Sequence, residues 1–173
     1  ENIQRPFEIK ELLSHDPDTC GGIMKPSFIS VREDLKIAAS LRYVRLKARE
    51  EDIEIMYIFV TKRFGELVGI MSLRELFLAA DTDTVAMHMN TEVIAVHAND
   101  DQELAADLFA KYKFLAVPVI NDHDQLVGII TIDDAFEVIE DETTEDIYQS
   151  SGINVETEDS SNVVTSLVKE YAS

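Results

Sequence analysis

The sequence predicts an α/β fold of the α+β kind, in which two copies of a strand–helix–strand–strand–helix unit form small sheets packed by helices. Two observations lead to this prediction. Short apolar runs separated by turn residues alternate with amphipathic stretches, and the same order of segments occurs twice. One copy of about 55–60 residues would bury little apolar surface, so the two copies are expected to pack together. Hydrophobic residues make up 46% of the 173 residues, which is enough for a shared core.

The repeat is visible in residues that align at a constant spacing. Met24 aligns with Met89 at an offset of 65, whereas Gly69 aligns with Gly128 at an offset of 59. The first copy therefore carries six extra residues, which we place around the charged stretch 47–52.

The predicted elements follow one another in the same order in both copies. In the first copy they are a strand within 23–31, a helix with its polar start over 33–46, strands over 55–60 and 67–71 around a turn at 62–65, and a helix over 73–79. In the second copy they are a strand within 88–96, a helix over 99–112, strands over 116–120 and 126–130 around a turn at 121–124, and a helix over 133–139. Asn99 or Asp100 is the predicted N-cap of the second copy's first helix, because a side-chain oxygen there can accept a free backbone N–H. Asp122-His123-Asp124 is predicted to be a hairpin turn and not a calcium loop, since the glycine and the distal glutamate of such a loop are missing.

Charge and hydropathy limit what the chain can bind or cross. The chain has 34 acidic and 15 basic side chains, a formal net charge of −19, so a nucleic-acid partner is not expected. Such a surface favours cations. No stretch approaches the roughly 18–20 apolar residues that a membrane span needs.

Catalytic and thiolate chemistry have no support in the sequence. Cys20 is the only cysteine, so an intrachain disulfide and a thiolate zinc cluster are excluded, and we expect a small, partly buried residue in a reducing, cytoplasmic compartment. The motifs Gly-x-Ser-x-Gly, P-loop and His-Glu-x-x-His do not occur. We therefore predict that the chain is not an enzyme.

The hairpin and the helix that follows it carry a family resemblance. The segment LVGIITIDD at 126–134, preceded by AVPVI at 116–120, resembles a cystathionine β-synthase (CBS) domain, and LVGIMSLRE at 67–75 is its counterpart in the first copy. Two tandem copies are similar to a CBS pair, which is a regulatory module attached to channels, transporters and enzymes. The resemblance covers roughly residues 21–140.

The flanking segments narrow the resemblance. DTCGGIM at 18–24 and ETTEDI at 142–147 are similar to MgtE-type magnesium transporters. This resemblance implies a remnant of a preceding helical domain at 1–17, CBS domain 1 at 18–82, CBS domain 2 at 83–141, and an acidic connecting segment at 142–173 that leads towards an absent membrane domain. It also implies a homodimer at the cytoplasmic face of the cell membrane, whose partners in the full-length protein are its own membrane domain and its N-terminal helical domain.

An acidic cluster closes the second copy. Eight carboxylates lie between Asp133 and Asp146, and no lysine or arginine lies among them. On a helix, Glu142 and Asp146 would share a face, and like charges at that spacing destabilise an isolated helix by a few tenths of a kcal/mol per pair. Mg²⁺ prefers oxygen ligands and keeps several waters, so such a cluster suits hydrated Mg²⁺ ions. A solvated acidic face is the alternative reading of the charge pattern.

The family resemblance implies particular metal-facing groups. They are the side chains of Asp101, Glu103, Asp134, Glu142, Glu145 and Asp146 and the backbone carbonyl of Ala110. Lys111 and Lys113 stand where the family has acids, so we expect fewer or weaker ions there. The implied mechanism is that bound Mg²⁺ holds a compact dimer and a closed pore, and that repulsion among bare carboxylates opens the module when Mg²⁺ falls.

Two other regulatory readings remain. CBS pairs often bind adenine nucleotides such as ATP or AMP, with a hydroxyl residue followed three positions later by an acid that holds the ribose. The candidates are Ser72 and Glu75 with Arg74, Tyr57 and Phe114 for the first copy, and Thr131 and Asp134 for the second. Ser72 or Thr131 as a helix N-cap is the structural alternative. Asp134 cannot easily serve both ribose and metal. The remaining reading is the CBS pair of a CorC-type magnesium or cobalt efflux protein, which should lack the segment at 142–147.

Overall fold

Two three-stranded sheets, one from each copy, form the frame of the protein. The computed structural model describes residues 15–50 and 55–137. In chain order the elements are α1 (Cys20–Ile23), β1 (Ile29–Arg32), α2 (Ile37–Glu50), β2 (Ile58–Thr61), β3 (Leu67–Met71), α3 (Leu73–Leu78), a 3₁₀ turn (Val85–Met87), β4 (Val96–His97), α4 (Gln102–Tyr112), β5 (Ala116–Ile120) and β6 (Leu126–Thr131). A last helix, α5, begins at residue 132 and reaches the end of the described range at 137.

Both sheets have the same mixed topology. The strand orders are β1-β2-β3 and β4-β5-β6, and in each sheet the first pair is parallel and the second pair antiparallel. The predicted α+β architecture of two small sheets with packed helices is therefore confirmed. Among the described residues, no helix is long and apolar enough to cross a membrane.

The two hairpins meet through their turns. The backbone N–H of Leu67 donates to the Asp124 carbonyl at 2.9 Å, and that of Leu126 donates to the Gly65 carbonyl at 3.0 Å. Both turn residues have positive φ, 92° at Gly65 and 57° at Asp124. Gly65 and Leu67 are the repeat equivalents of Asp124 and Leu126, at an offset of 59, so the two hydrogen bonds are equivalent to each other.

The segments that precede the first strand of each copy, β1 or β4, are exchanged between the sheets. Lys25, which precedes β1 of the first copy, pairs with Ile129 in β6 of the second copy through two backbone hydrogen bonds of 2.8 and 2.9 Å. Asn90, which precedes β4, pairs in the same way with Ile70 in β3 of the first copy, at 2.8 and 2.9 Å. Each copy is therefore completed by residues that lead into the other.

The apolar side chains form a core in each copy and a cluster that the copies share. The first core consists of Ile29, Val31, Ile37, Val44, Ile58, Val60, Met71, Leu76 and Val85. The second core consists of Cys20, Met24, Val96, Ala98, Ala105, Phe109, Val117, Val119, Ile130 and Ala135. The joint cluster consists of Phe59 from the first copy with Ala116 and Ile129 from the second, and Tyr57 and Leu126 are among the residues packed on it.

Cys20 is more deeply buried than expected. Its exposed fraction is 0%, where the sequence suggested a partly buried residue. The exchange of segments explains the difference. The Cys20 N–H donates to the Asp100 carbonyl at 2.7 Å, and in the other copy the equivalent residue, Val85, donates in the same way to the Leu35 carbonyl at 2.9 Å. Cys20 therefore occupies a valine position of the repeat, in the second core.

Three local details differ from the predicted elements. The N-cap of α4 is Asp101 and not Asn99 or Asp100, because the Asp101 carboxylate accepts the Glu103 N–H at 2.8 Å. The Asp100 carboxylate instead accepts the His97 N–H at 2.7 Å and closes the preceding turn. In the first copy, residues 20–23 are helical, so the first strand begins only at 29. Three of the six extra residues lengthen α2, which has 14 residues against 11 in α4.

Candidate functional site

The two copies present equivalent helix starts after their hairpins. In the first copy, Ser72 is the N-cap of α3, and its Oγ accepts the Glu75 N–H at 3.1 Å. Glu75 reaches back with Oε2, which accepts the Ser72 N–H at 2.7 Å and the Ser72 hydroxyl at 2.8 Å. The hydroxyl residue and the acid predicted as a ribose-binding pair therefore form a capping box in this structure. The structural alternative for Ser72 is confirmed, and its role towards a nucleotide stays a prediction.

The second helix start adds a cation to the same arrangement. Asp134 Oδ2 accepts the Thr131 N–H at 3.0 Å and the Thr131 hydroxyl at 2.5 Å. Asp134 Oδ1 lies 2.6 Å from the ammonium nitrogen of Lys25. Only 13% of the Asp134 side chain is exposed, against 54% for Lys25. Both oxygens of this carboxylate are therefore engaged within the chain.

The electrostatics of the two acids follow from these contacts. Hydrogen bonds from the backbone and side chain of Ser72 lower the pKa of Glu75 below its usual value. Burial raises the pKa of Asp134, but hydrogen bonds from Lys25 and Thr131 outweigh it, and the pKa of Asp134 is lowered. The hydrogen bond with Asp134 raises the pKa of Lys25, and burial opposes this only in part. Asp134 and Lys25 are therefore both charged at neutral pH.

The predicted nucleotide residues fall into two neighbourhoods. Tyr57 immediately precedes β2, where Ile58 pairs with Met71, so Tyr57 lies across from Ser72 at one end of the hairpin. Arg74 is exposed in the first turn of α3. Phe114 packs on the second core and stacks on Tyr112, with ring centroids 5.3 Å apart. Tyr57 packs instead on the joint cluster, so the two aromatic residues predicted near an adenine belong to different packing clusters.

The predicted metal residues of the second copy lie along α4. Asp101 caps the helix and Glu103 follows in its first turn, whereas Ala110 lies near its end. Nine residues of helical rise separate Asp101 from Ala110 by roughly 13 Å, so one ion cannot contact both. Lys113 forms the left-handed C-cap at φ 56°, and the Lys111 ammonium lies over the Tyr112 ring at 4.9 Å from its centroid.

The described carboxylates do not by themselves form a metal site. Within residues 15–50 and 55–137, no group of three or more His, Cys, Asp or Glu side chains is assembled to hold a metal ion. The other predicted ligands, Glu142, Glu145 and Asp146, lie outside the described residues. Mg²⁺ usually keeps several waters and takes one or two protein carboxylates. The described part of the chain therefore forms no all-protein cage, and a hydrated Mg²⁺ would contact Asp134 only in place of one of its present partners, Lys25 or Thr131.

Sequence reasoning missed Lys25 as a member of this site. Lys25 is 109 positions from Asp134 in the chain, and no local periodicity links the two. The available signal was the repeat itself. The counterpart of Lys25 is Asn90, so a charged residue appears at only one of two equivalent positions.

Comparison with protein families identifies one of the two copies directly. The family model described as "CBS domain" matches residues 84–141. Among curated proteins, the chain is similar to the magnesium transporter MgtE of Thermus thermophilus, with 38% identity over 148 residues, and to that of Enterococcus faecalis, with 39% identity over 149 residues. Both alignments cover 86% of this chain but 33% of the relative. The chain therefore spans about a third of the length of these transporters.

Solved structures lead to the same group of proteins. The chain is similar to the cytosolic domain of the Mg²⁺ channel MgtE in complex with ATP, at 38% identity and a TM-score of 0.70, with 76% of this chain and 53% of that chain covered. It is also similar to the soluble part of a magnesium transporter, at 39% identity and a TM-score of 0.72, with coverage of 78% and 52%. A CBS pair domain of a putative Mg²⁺ transporter from Shewanella oneidensis shares the fold at 15% identity and a TM-score of 0.67, with coverage of 83% and 82%.

Proposed function

Because this chain is a tandem pair of CBS domains homologous to the cytosolic part of MgtE-type magnesium transporters, we propose that it is the Mg²⁺-sensing regulatory module of such a transporter. The observation that carries the proposal is the identity of 38–39% over 86% of the chain. The proposed role is regulatory and not enzymatic. The module would lie at the cytoplasmic face of the membrane, as a homodimer joined to its own membrane domain and N-terminal helical domain.

The charge distribution supports Mg²⁺ as the signal. The chain has a net charge of −19, so bringing two copies together costs electrostatic free energy unless cations are bound. Asp134 lies at the start of α5 and belongs to the same acidic cluster of the sequence as Glu142, Glu145 and Asp146. Ions that bind there more tightly in a compact dimer would shift the population towards that dimer. In the full transporter, the compact dimer would hold the pore closed, and its opening at low Mg²⁺ would release it.

Sedimentation velocity with and without millimolar Mg²⁺ tests the proposal. We expect Mg²⁺ to shift this chain to a more compact dimer, and NaCl of matched ionic strength not to do so. Replacing the four predicted ligands Asp134, Glu142, Glu145 and Asp146 by Ala should abolish the shift. A matched control removes four exposed acids elsewhere, at Glu50, Asp81, Glu92 and Asp122. Equal effects of Mg²⁺ and matched NaCl, or equal behaviour of the two variants, would contradict Mg²⁺ sensing by this cluster.

Adenine-nucleotide sensing is the second candidate, and the first helix start favours it. Tyr57 lies across from Ser72, Arg74 is exposed in the first turn of α3, and Glu75 offers a carboxylate that already accepts two hydrogen bonds. The similar MgtE cytosolic domain was solved with ATP. In a complex with ATP or AMP, the ribose hydroxyls would replace the N–H and hydroxyl of Ser72 as donors to the Glu75 carboxylate. The base would lie near Tyr57 and the phosphates near Arg74.

Calorimetric titration of ATP and AMP separates this candidate from the first. If nucleotide binds at the first helix start, Glu75→Gln should weaken binding by about tenfold, because a charge-assisted hydrogen bond is replaced by a neutral one. Asp134→Asn at the equivalent position of the second copy is the matched control and should leave binding unchanged. Absence of any heat of binding, or equal losses in both variants, would contradict this placement.

A further inference from the structure

Lys25 forms an ion pair with Asp134 at the acidic start of α5. Its ammonium lies 2.6 Å from Asp134 Oδ1, and the charges of Asp133 and Glu137 on the same helix also attract it. More than half of the Lys25 side chain is exposed, at 54%. Solvent and dissolved ions therefore have access to the lysine, although the carboxylate that it contacts is largely buried.

The exchanged segment holds Lys25 in this position. Two backbone hydrogen bonds join Lys25 to Ile129, and the neighbouring Met24 packs against Gly128. These contacts fix the backbone of Lys25 beside β6, the strand that leads into α5 and Asp134. The contact is therefore a product of the interlocked fold.

Both oxygens of the Asp134 carboxylate already have partners among the described residues. Oδ2 accepts from the backbone and the hydroxyl of Thr131, and Oδ1 is bound by Lys25. A divalent cation bonded to Oδ1 would stand next to the ammonium group, and the two positive charges would repel each other. Lys25 and a metal ion therefore cannot both hold Oδ1 at low energy.

We propose that Lys25 is a built-in counter-cation that competes with Mg²⁺ for Asp134, so that a divalent ion reaches this carboxylate only by displacing the Lys25 ammonium. This inference rests on the proposed Mg²⁺-sensing function, and it adds a residue that raises the Mg²⁺ concentration at which the module responds. The first copy lacks the device, because Asn90 stands at the position equivalent to Lys25.

The substitution Lys25→Met tests the competition, because it keeps the length and apolar stem of the side chain and removes its charge. Two readouts are followed against Mg²⁺ concentration at constant ionic strength. They are the thermal midpoint of unfolding and the carbon-13 shift of the Asp134 carboxyl, assigned through Asp134→Asn. Loss of the competitor should lower the half-saturating Mg²⁺ concentration at Asp134 by about two- to fivefold, the range expected for one partly exposed ion pair.

Lys62→Met is the matched control. Lys62 pairs with Glu66 at 3.7 Å, its side chain is 50% exposed, and its removal changes the net charge by the same amount. It should leave the half-saturating concentration at Asp134 close to that of the parent chain. Lys25→Arg keeps a cation at position 25 and should not lower this concentration, which preserves the test if Lys25→Met folds poorly.

The outcomes separate this inference from the function on which it rests. If the parent chain shows no response to Mg²⁺ beyond matched NaCl, the sensing function itself is wrong. If the parent responds, but Lys25→Met and Lys62→Met have the same half-saturating concentration at Asp134, the competition is wrong and the sensing function stands. An Asp134 resonance that Mg²⁺ does not move in the parent or in Lys25→Met also overturns the competition.

Discussion

Met24 lies directly on Gly128. A Cβ at position 128 would come 2.6 Å from the Met24 sulfur and 3.1 Å from the Lys25 carbonyl oxygen. The repeat contains the same contact once more, since a Cβ at Gly69 would come 2.6 Å from the sulfur of Met89. In both places a methionine that precedes one copy occupies the space above a strand glycine of the other, so each glycine is required by close approach.

Gly128→Ala is expected to lower the free energy of unfolding by about 1–3 kcal/mol, as overpacking of a filled site does. Gly69→Ala should cost less, because all three close contacts there belong to the flexible Met89 side chain, whereas position 128 also faces a backbone carbonyl. Urea denaturation of both variants measures the difference. Met24→Ala combined with Gly128→Ala should destabilise less than the sum of the two single changes. Strict additivity would show that the two residues do not share this space.

Removal of the α3 N-cap gives a second prediction. Ser72→Ala should lower the free energy of unfolding by about 1 kcal/mol, because the Glu75 N–H loses its side-chain acceptor. Ser72→Thr is the matched control, since Thr131 occupies the equivalent position in the second copy. Thermal and urea unfolding should rank Thr close to the parent and Ala below it. An equal loss in both variants would mean that packing, and not capping, governs this position.

The Asp134 carboxylate should make stability depend on pH. Its pKa is lowered in the folded chain, so its contribution is present above the unfolded pKa and is lost as pH falls through the folded pKa. Asp134→Asn is expected to lower the free energy of unfolding at pH 7 by about 1–3 kcal/mol, because hydrogen bonds to a charged group are lost. The gap between the parent and the variant should narrow as the pH falls from 5 towards 3. Asp122→Asn, in an exposed turn, is the matched carboxyl-to-amide control, and a gap that stays constant with pH for Asp134→Asn would contradict the assignment.

The thiol of Cys20 should be protected in the folded chain. Burial, followed by the nearby charge of Asp100, raises its pKa from 9.0 to about 12. At pH 8 the thiolate fraction is then roughly a thousandfold lower than in an exposed thiol with the ordinary pKa of 9.0, and a buried sulfur is also shielded from reagents. Labelling with a thiol reagent should therefore follow the unfolding transition in urea. Complete labelling under native conditions within the mixing time would contradict the burial of this side chain.

The repeat made much of the fold predictable. The strands at 67–71 and 116–120 have the predicted bounds, and the hairpin turn at 121–124 is confirmed. Local rules were sufficient there, because a short apolar run and the turn residues that bound it act over only a few positions. The N-cap of α4 was predicted less well. Asn99, Asp100 and Asp101 can all cap a helix, and the choice depends on Asp100 being used in the preceding turn.

The exchange of segments and the ion pair at the helix start depended on the folded chain. Nothing local in the sequence around Met24 and Lys25 shows that they complete the sheet of the second copy, because a strand edge is defined by its partner. Lys25 reaches Asp134 only through that exchange, so the pair was absent from the predicted ligand and ribose sites. The repeat, the charge excess and the hydroxyl–acid pairs could be read from the order of residues. Which copy each leading segment completes, and which acid receives a lysine, follows from tertiary packing. The paired residues are 20 positions apart for Asn90 and Ile70, and 109 for Lys25 and Asp134.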